Sequence, residues 1–183
     1  MTHSALFEIR ELSLSGVLLI TPKTFTDVRG YSMVTYNAEE FAKLGIPADF
    51  KQDFKSYSIH SVIRGLHFQR APHRQDKLVR PTQGEIFDVA ADYDPESPTF
   101  GASVSVTLTA ETMLYIPGKY AHGFCVLSDT AIVDYKIAGM YSPEHASGVL
   151  WNDPLFNIAW PTSTPILSEQ DTSWQPLPHT DKI

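Results

Sequence analysis

The apolar positions of this chain fall in short runs rich in Val, Ile, Phe, Tyr and Thr, and residues that favour turns close each run. β-branched and aromatic side chains suit a pleated, half-buried surface, so this pattern predicts an all-β domain folded as a sandwich or barrel. The predicted strands are Gly16 to Thr21, Tyr31 to Tyr36, Lys55 to His60, Val62 to Gln69, Asp76 to Pro81, Gly84 to Asp92, Gly101 to Leu108, Met113 to Ile116, His122 to Leu127 and Ala131 to Ile137. One helix is predicted after Asn37. That residue serves as N-cap, Glu40 is spaced to reach back to it, Phe41 and Leu44 form an apolar stripe, and Gly45 ends the helix. Asp94-Pro95-Glu96-Ser97-Pro98, Ile116-Pro117-Gly118 and Tyr141-Ser142-Pro143 are breaks built from turn residues. Beyond Pro143 the pattern predicts loops, with Trp151 and Trp160 packed across a sheet and a short turn or helix from Leu167 to Asp171.

The 183 residues contain no Gly/Ser-rich linker and no internal repeat, which predicts a single domain over 1–183. Hydrophobic residues at 43% and charged residues at 19% are ordinary for a chain that buries its own core. No apolar run approaches the roughly 18 residues of a membrane helix, and Met1 to Arg10 lack the features of a signal peptide, so a cytoplasmic location away from membranes is expected. Cys125 is the only cysteine, which rules out an intramolecular disulfide, and its apolar neighbours predict a small core residue. A net charge of −7 speaks against nucleic acid as a partner but leaves room for a local cationic cluster such as Arg64, Lys77 and Arg80 to hold a phosphate.

The densest polar text inside a predicted strand is Arg64-Gly65-Leu66-His67-Phe68-Gln69, with Gln75-Asp76-Lys77-Leu78-Val79-Arg80 close behind. Strand side chains alternate between faces, so Arg64 and His67 point opposite ways unless Gly65 marks a bulge. His122 and Tyr135-Lys136 belong to other predicted strands. If these strands share one interior, they supply a base, a phenolic acid and cationic donors, which is the equipment of an epimerase or isomerase.

Several blocks, in order and at matching spacing, resemble the dTDP-4-dehydrorhamnose 3,5-epimerase family. They are Phe25-Thr26-Asp27-Val28-Arg29-Gly30, Ile63 through Gln69, Lys77-Leu78-Val79-Arg80, Gly84 through Val89, Ser97 through Gly101, Ile116-Pro117 with His122-Gly123-Phe124, Tyr135-Lys136, Trp151 through Pro154, and Leu167 through Asp171. The resemblance spans about residues 16 to 177. It implies a cupin-type jelly-roll barrel with one or two short helices, a homodimer, no cofactor and no metal. The implied activity is epimerisation of a nucleotide-linked 4-keto-6-deoxy sugar at C3, C5 or both, by proton abstraction beside the C4 ketone. It assigns His67 as base, Asp171 as its partner, Tyr135 as acid and Lys77 as the group near the C4 oxygen. Arg64 and His122 match positions that bind substrate and diphosphate, Arg29 an arginine at the nucleotide end, and Tyr141 an aromatic that stacks on the base. Gln52 and Phe54 fall in a further ligand-contacting stretch. Asp88 stays open as an alternative partner of His67.

The chain departs from the family pattern at Val28, Val34, Phe54, Ala146 and Gln170. Val34 and Phe54 replace polar groups with apolar bulk, which implies an altered nucleotide base or sugar, or inversion of a single centre, with the catalytic set retained. Two other classes remain: a non-catalytic sugar-nucleotide binder, which has no need of the His67, Asp171 and Tyr135 set, and a metal-dependent cupin, which needs closely spaced histidines that this sequence lacks.

Overall fold

The computed structural model describes residues 2–46 and 49–178. In chain order the elements are β1 (Thr2–His3), β2 (Phe7–Glu11), β3 (Leu18–Pro22), β4 (Thr24–Asp27), β5 (Gly30–Met33), α1 (Ala38–Lys43), β6 (Phe50–Ile59), β7 (Ile63–Gln69), β8 (Lys77–Gln83), β9 (Ile86–Ala91), β10 (Ser103–Leu108), β11 (Met113–Ile116), β12 (Ala121–Val126), β13 (Thr130–Ala138), β14 (Ala146–Gly148) and α2 (Glu169–Ser173). One sheet runs β1-β2-β3-β11-β8-β13-β6 and the other β10-β9-β12-β7-β14, while β4 and β5 pair only with each other. The two large sheets make the expected jelly roll.

Period-2 alternation builds three apolar layers. Between the sheets lie Val79, Ile86, Leu114, Phe124, Val133 and Tyr135 with their neighbours. Behind the larger sheet, Leu78, Met113 and Ile20 pack under Phe41 of α1. Behind the smaller one, Leu66, Val89 and Ala121 pack under Val149 and Phe156. On β8, Val79 therefore turns inward and Leu78 outward.

The helix forms where its cap predicts, with the Asn37 side chain accepting from the Glu40 backbone N–H at 3.1 Å. Glu40 does not reach back, however: its carboxylate bonds Lys43 at 2.8 Å. The C-terminal helix starts two residues later than Leu167, with Ser168 as its cap. The strand predicted to Tyr36 ends at Met33, because Val34 and Tyr36 are drawn into the layer around Phe41. β2 alternates as a strand should, with Phe7 and Ile9 buried and Glu8 and Arg10 exposed, and lies outside the predicted strands, whereas β4 and β14 carry no distinctive sequence signal. β14 is Ala-Ser-Gly, a poor strand former, and exists because it pairs with His67, Phe68 and Gln69.

The shift in β7 matters most for the site. His122 of β12 pairs with His67 and Phe124 with Arg64, so β7 carries one residue more than its partner over this stretch. Gly65 has φ +137°, and a Cβ there would stand 2.5 Å from the Gly123 Cα. Only glycine fits both the conformation and the contact. Leu66 goes to the outer layer, and Arg64 and His67 both face the interior cleft. Replacing Gly65 by Ala is expected to destabilise the fold by roughly 2–4 kcal/mol, measured by denaturant unfolding, because the new methyl has no room to yield.

Candidate functional site

Strands of both sheets line a cleft of about 390 Å³. β7 contributes Arg64 and His67, β8 Lys77, β12 His122, β13 Tyr135, and β6 Gln52 and Phe54, with Tyr141 on the loop after β13. His67 and Tyr135 come from different sheets and look into the cleft from opposite walls.

Behind His67 stands Asp171, whose Oδ1 lies 2.5 Å from Nε2. Ser168 caps α2 by accepting from the Asp171 backbone N–H at 3.0 Å, so the helix start aims this carboxylate. Burial raises the Asp171 pKa, but the hydrogen bond and charge of His67, then Ser168 and the Gly65 backbone, together hold it below the usual carboxylate range. An ionised partner at Nε2 fixes the proton there and leaves the Nδ1 lone pair available. The His67 side chain is 42% exposed, within reach of a ligand.

Asp88, the alternative partner, belongs to the other histidine: both its oxygens lie 3.1 Å from His122 Nε2. It is fully buried, and desolvation pushes its pKa up against the pull of His122 and Lys77. Lys77 is lowered to about 8 because burial disfavours the ammonium, while the charges of Asp76 and Asp88 only partly offset this. Asp76 is itself held by the Tyr115 hydroxyl and the Gly118 backbone N–H, each at 2.7 Å. Tyr135 is raised, first by burial and then by the Asp88 charge, so its hydroxyl keeps its proton at every working pH. Its ring lies 6.0 Å from His122 and 5.6 Å from Phe54. Arg64 donates from Nε to Ser58 at 3.0 Å and from Nη2 to the Tyr57 carbonyl at 3.2 Å, which points its fork along the cleft.

The residues singled out from the sequence thus converge, with one exception. Arg29 lies on the β4–β5 hairpin, 86% exposed and paired with Asp27, away from this chain's own cleft. Val28, at the same tip, is exposed, and Val34 packs beside α1, so neither lines this chain's own cleft. Phe54 does face the cleft, and Ala146 and Gln170 line a side pocket next to His67. Sequence reasoning passed over Gln75, which lines both spaces, and Gln69, which anchors the loop. The Gln69 amide donates to the His73 carbonyl at 2.7 Å and the Met140 carbonyl at 3.2 Å, and its oxygen accepts from the Ser142 N–H at 2.7 Å, which sets Tyr141 at the rim. Both glutamines lie beside His67 and Lys77 in the sequence, but their direction depends on the bulge and on loop packing. Among the described residues no group of three or more His, Cys, Asp or Glu side chains is arranged to hold a metal ion.

A jelly roll whose two sheets bring His67, Lys77, His122 and Tyr135 to one cleft defines a cupin-type sugar-nucleotide isomerase. The dTDP-4-dehydrorhamnose 3,5-epimerase family profile matches residues 11–179, and the chain belongs to this family. The dTDP-4-dehydrorhamnose 3,5-epimerase of Methanothermobacter thermautotrophicus is 45% identical over 176 residues, covering 93% of this chain and 95% of that one. The dTDP-4-dehydrorhamnose 3-epimerase of Streptomyces niveus is 37% identical over 166 residues, covering 89% and 80%. The crystal structure of dTDP-6-deoxy-D-glucose-3,5-epimerase from Legionella pneumophila in complex with dTDP-4-keto-L-rhamnose superposes with TM-score 0.90 at 37% identity, covering 96% of this chain and 95% of that one.

Asp171→Asn is expected to free the His67 ring from its single tautomer. Nitrogen NMR should show one neutral form in the parent protein and a mixture in the variant.

Proposed function

We propose that this protein is a 3,5-epimerase of a dTDP-linked 4-keto-6-deoxy sugar, with His67 as base, Tyr135 as acid and Lys77 at the C4 oxygen. One observation carries this: a tautomer-fixed imidazole and a neutral phenol face one cleft from opposite sheets, with an ammonium between strands at the same end. Hydrogens next to a ketone are acidified by it, yet the enolate needs positive charge at its oxygen to form quickly. His67 Nδ1 takes the proton from C3 or C5, and the carbon–hydrogen electron pair moves into the ring to form an enolate with its charge on the C4 oxygen, which faces the Lys77 ammonium. The Tyr135 hydroxyl then delivers its proton to the opposite face of the same carbon, which inverts the centre. Exchange with water restores the imidazole and the phenol. Arg64 and His122 receive the diphosphate, the fork of Arg64 suiting two oxygens at once. Tyr141 stacks on the base, and Gln52 and Phe54 line its approach.

Higher identity to the 3,5-epimerase than to the 3-epimerase favours inversion of both centres. A second reading rests on Phe54: an aromatic wall 5.6 Å from Tyr135 narrows the cleft and favours a related sugar, base or single-centre inversion. Turnover of dTDP, CDP and GDP sugars, compared side by side, separates the two.

The whole chain acts as one domain in this proposal, as a homodimer. The β4–β5 hairpin leaves the barrel with Phe25, Val28 and Tyr31 exposed, and reaching the partner's cleft would cover them and bring Arg29 to the nucleotide end. A cytoplasmic location fits a chain whose single thiol is buried and free and in which, among the described residues, no helix is long and apolar enough to cross a membrane.

In deuterated water the enzyme should place deuterium at C3 and C5 of the product, located by NMR. His67→Asn should slow exchange by about 10³-fold or more, whereas Tyr135→Phe should still exchange but return the starting configuration. Undiminished exchange in His67→Asn rejects the assignment of the base.

Lys77 is an ammonium below about 8 and a neutral amine above it. kcat/KM should therefore fall as pH rises through that value, and Lys77→Met should lose this limb while dropping kcat about 10²- to 10³-fold. A pH profile of exchange rate checks both.

A further inference from the structure

Beside His67 the cleft opens into an annex of about 170 Å³, two of whose walls, Gln75 and Trp174, have no role in the reaction above. Gln75 and Trp174 line it, and each holds a buried N–H group, Nε2 and Nε1, with no acceptor among the described residues. Gln75 is only 6% exposed. A buried donor without an acceptor bears the full cost of desolvation, so such groups are rare unless a ligand or ordered water completes them. Gln69 shows the contrast, since its amide is fully spent on the loop that carries Tyr141.

The donors are held in place. Gly118 lies so close to the Gln75 backbone that a Cβ on it would be 2.6 Å from the Gln75 nitrogen, and the Trp174 ring lies over Gly148, where a Cβ would meet Nε1 at 2.6 Å. Apart from Lys77 and His67, the walls carry no titratable charge except the Tyr141 phenol; Ala146, Ser147, Gln69 and Gln170 are neutral. The volume admits a substituent of the sugar with ordered water beside it.

We propose that this annex is a subsite for a ring hydroxyl of the sugar, its oxygen accepting from Gln75 and Trp174. It rests on the epimerase reading and deepens it: the subsite makes the enzyme selective for a hydroxylated sugar over its deoxy counterpart, and holds the ring at a fixed rotation against His67. A site built to bond a hydroxyl rejects an analogue lacking it, because its buried donors are then left unpaired.

The test compares the dTDP-linked 4-keto-6-deoxy sugar with its 2-deoxy and 3-deoxy analogues, reading deuterium exchange at C5, which all of them retain. The parent enzyme should lose about 10-fold or more in kcat/KM on one analogue. Gln75→Met and Trp174→Phe should fall to that level on the hydroxylated substrate, keep their rate on the deoxy one, and bind dTDP alone as the parent does. Equal rates of the parent enzyme on all the sugars, as expected for an annex holding only water, would overturn the proposal. So would variants that slow on every substrate alike. If the parent enzyme exchanges deuterium at neither C3 nor C5 of the hydroxylated sugar, the epimerase reading fails separately, and calorimetric affinities for the same sugars, set against dTDP, still report whether the hydroxyl is recognised.

Discussion

A single extra residue in one strand organises the site. Over the stretch where β12 advances from His122 to Phe124, β7 advances from His67 to Arg64, and the surplus is absorbed where Gly65 lies against Gly123. In a regular strand Arg64 and His67 would face opposite sides, and the base or its neighbouring cation would be lost to the outer layer. The shift sends Leu66 outward in their place, where it joins the apolar cover formed by Val149 and Phe156. Packing and chemistry thus depend on one backbone contact.

Around that contact, the two histidines receive opposite treatment from similar carboxylates. His122 is closed in, with a side chain 6% exposed and Asp88 fully buried behind it. His67 is open to the cleft, and its carboxylate sits behind the ring at the start of α2. A locked imidazole suits binding and an open one suits proton transfer, although both use an Asp at Nε2. Among the described residues Lys77 has no hydrogen-bonded carboxylate, and burial lowers its pKa against the partial pull of Asp76 and Asp88. An ammonium held this way gains most when a negative oxygen arrives, which is the condition an enolate-forming site requires.

Much of the protein was readable from its residues in order. Alternating β-branched runs predicted the barrel strands, Asn37 and Glu40 placed the helix, and the Gly65 position within a polar strand raised the possibility of a bulge. The blocks from Phe25 to Asp171 pointed to the family and to the residues that the fold then gathers in one cleft, because side-chain chemistry and spacing survive in the linear text. β14 and the hairpin strand β4 were not readable, since Ala-Ser-Gly and an exposed Thr-Phe-Thr-Asp have no periodicity of burial to report.

What the linear text left open was every question of direction. It could not choose between Asp88 and Asp171 for His67, because the pairing is settled by which strand lies beside β12 and where α2 begins. It gave no sign that Val34 would pack into the helix layer behind the larger sheet. It gave no hint that Gln69 is satisfied and Gln75 is not. Residue identity sets what a group can do, and a strand period of two sets which neighbours share its face. Only the register of strands distant in sequence decides which groups meet across the sandwich, because that register comes from packing of the whole core and not from any one segment.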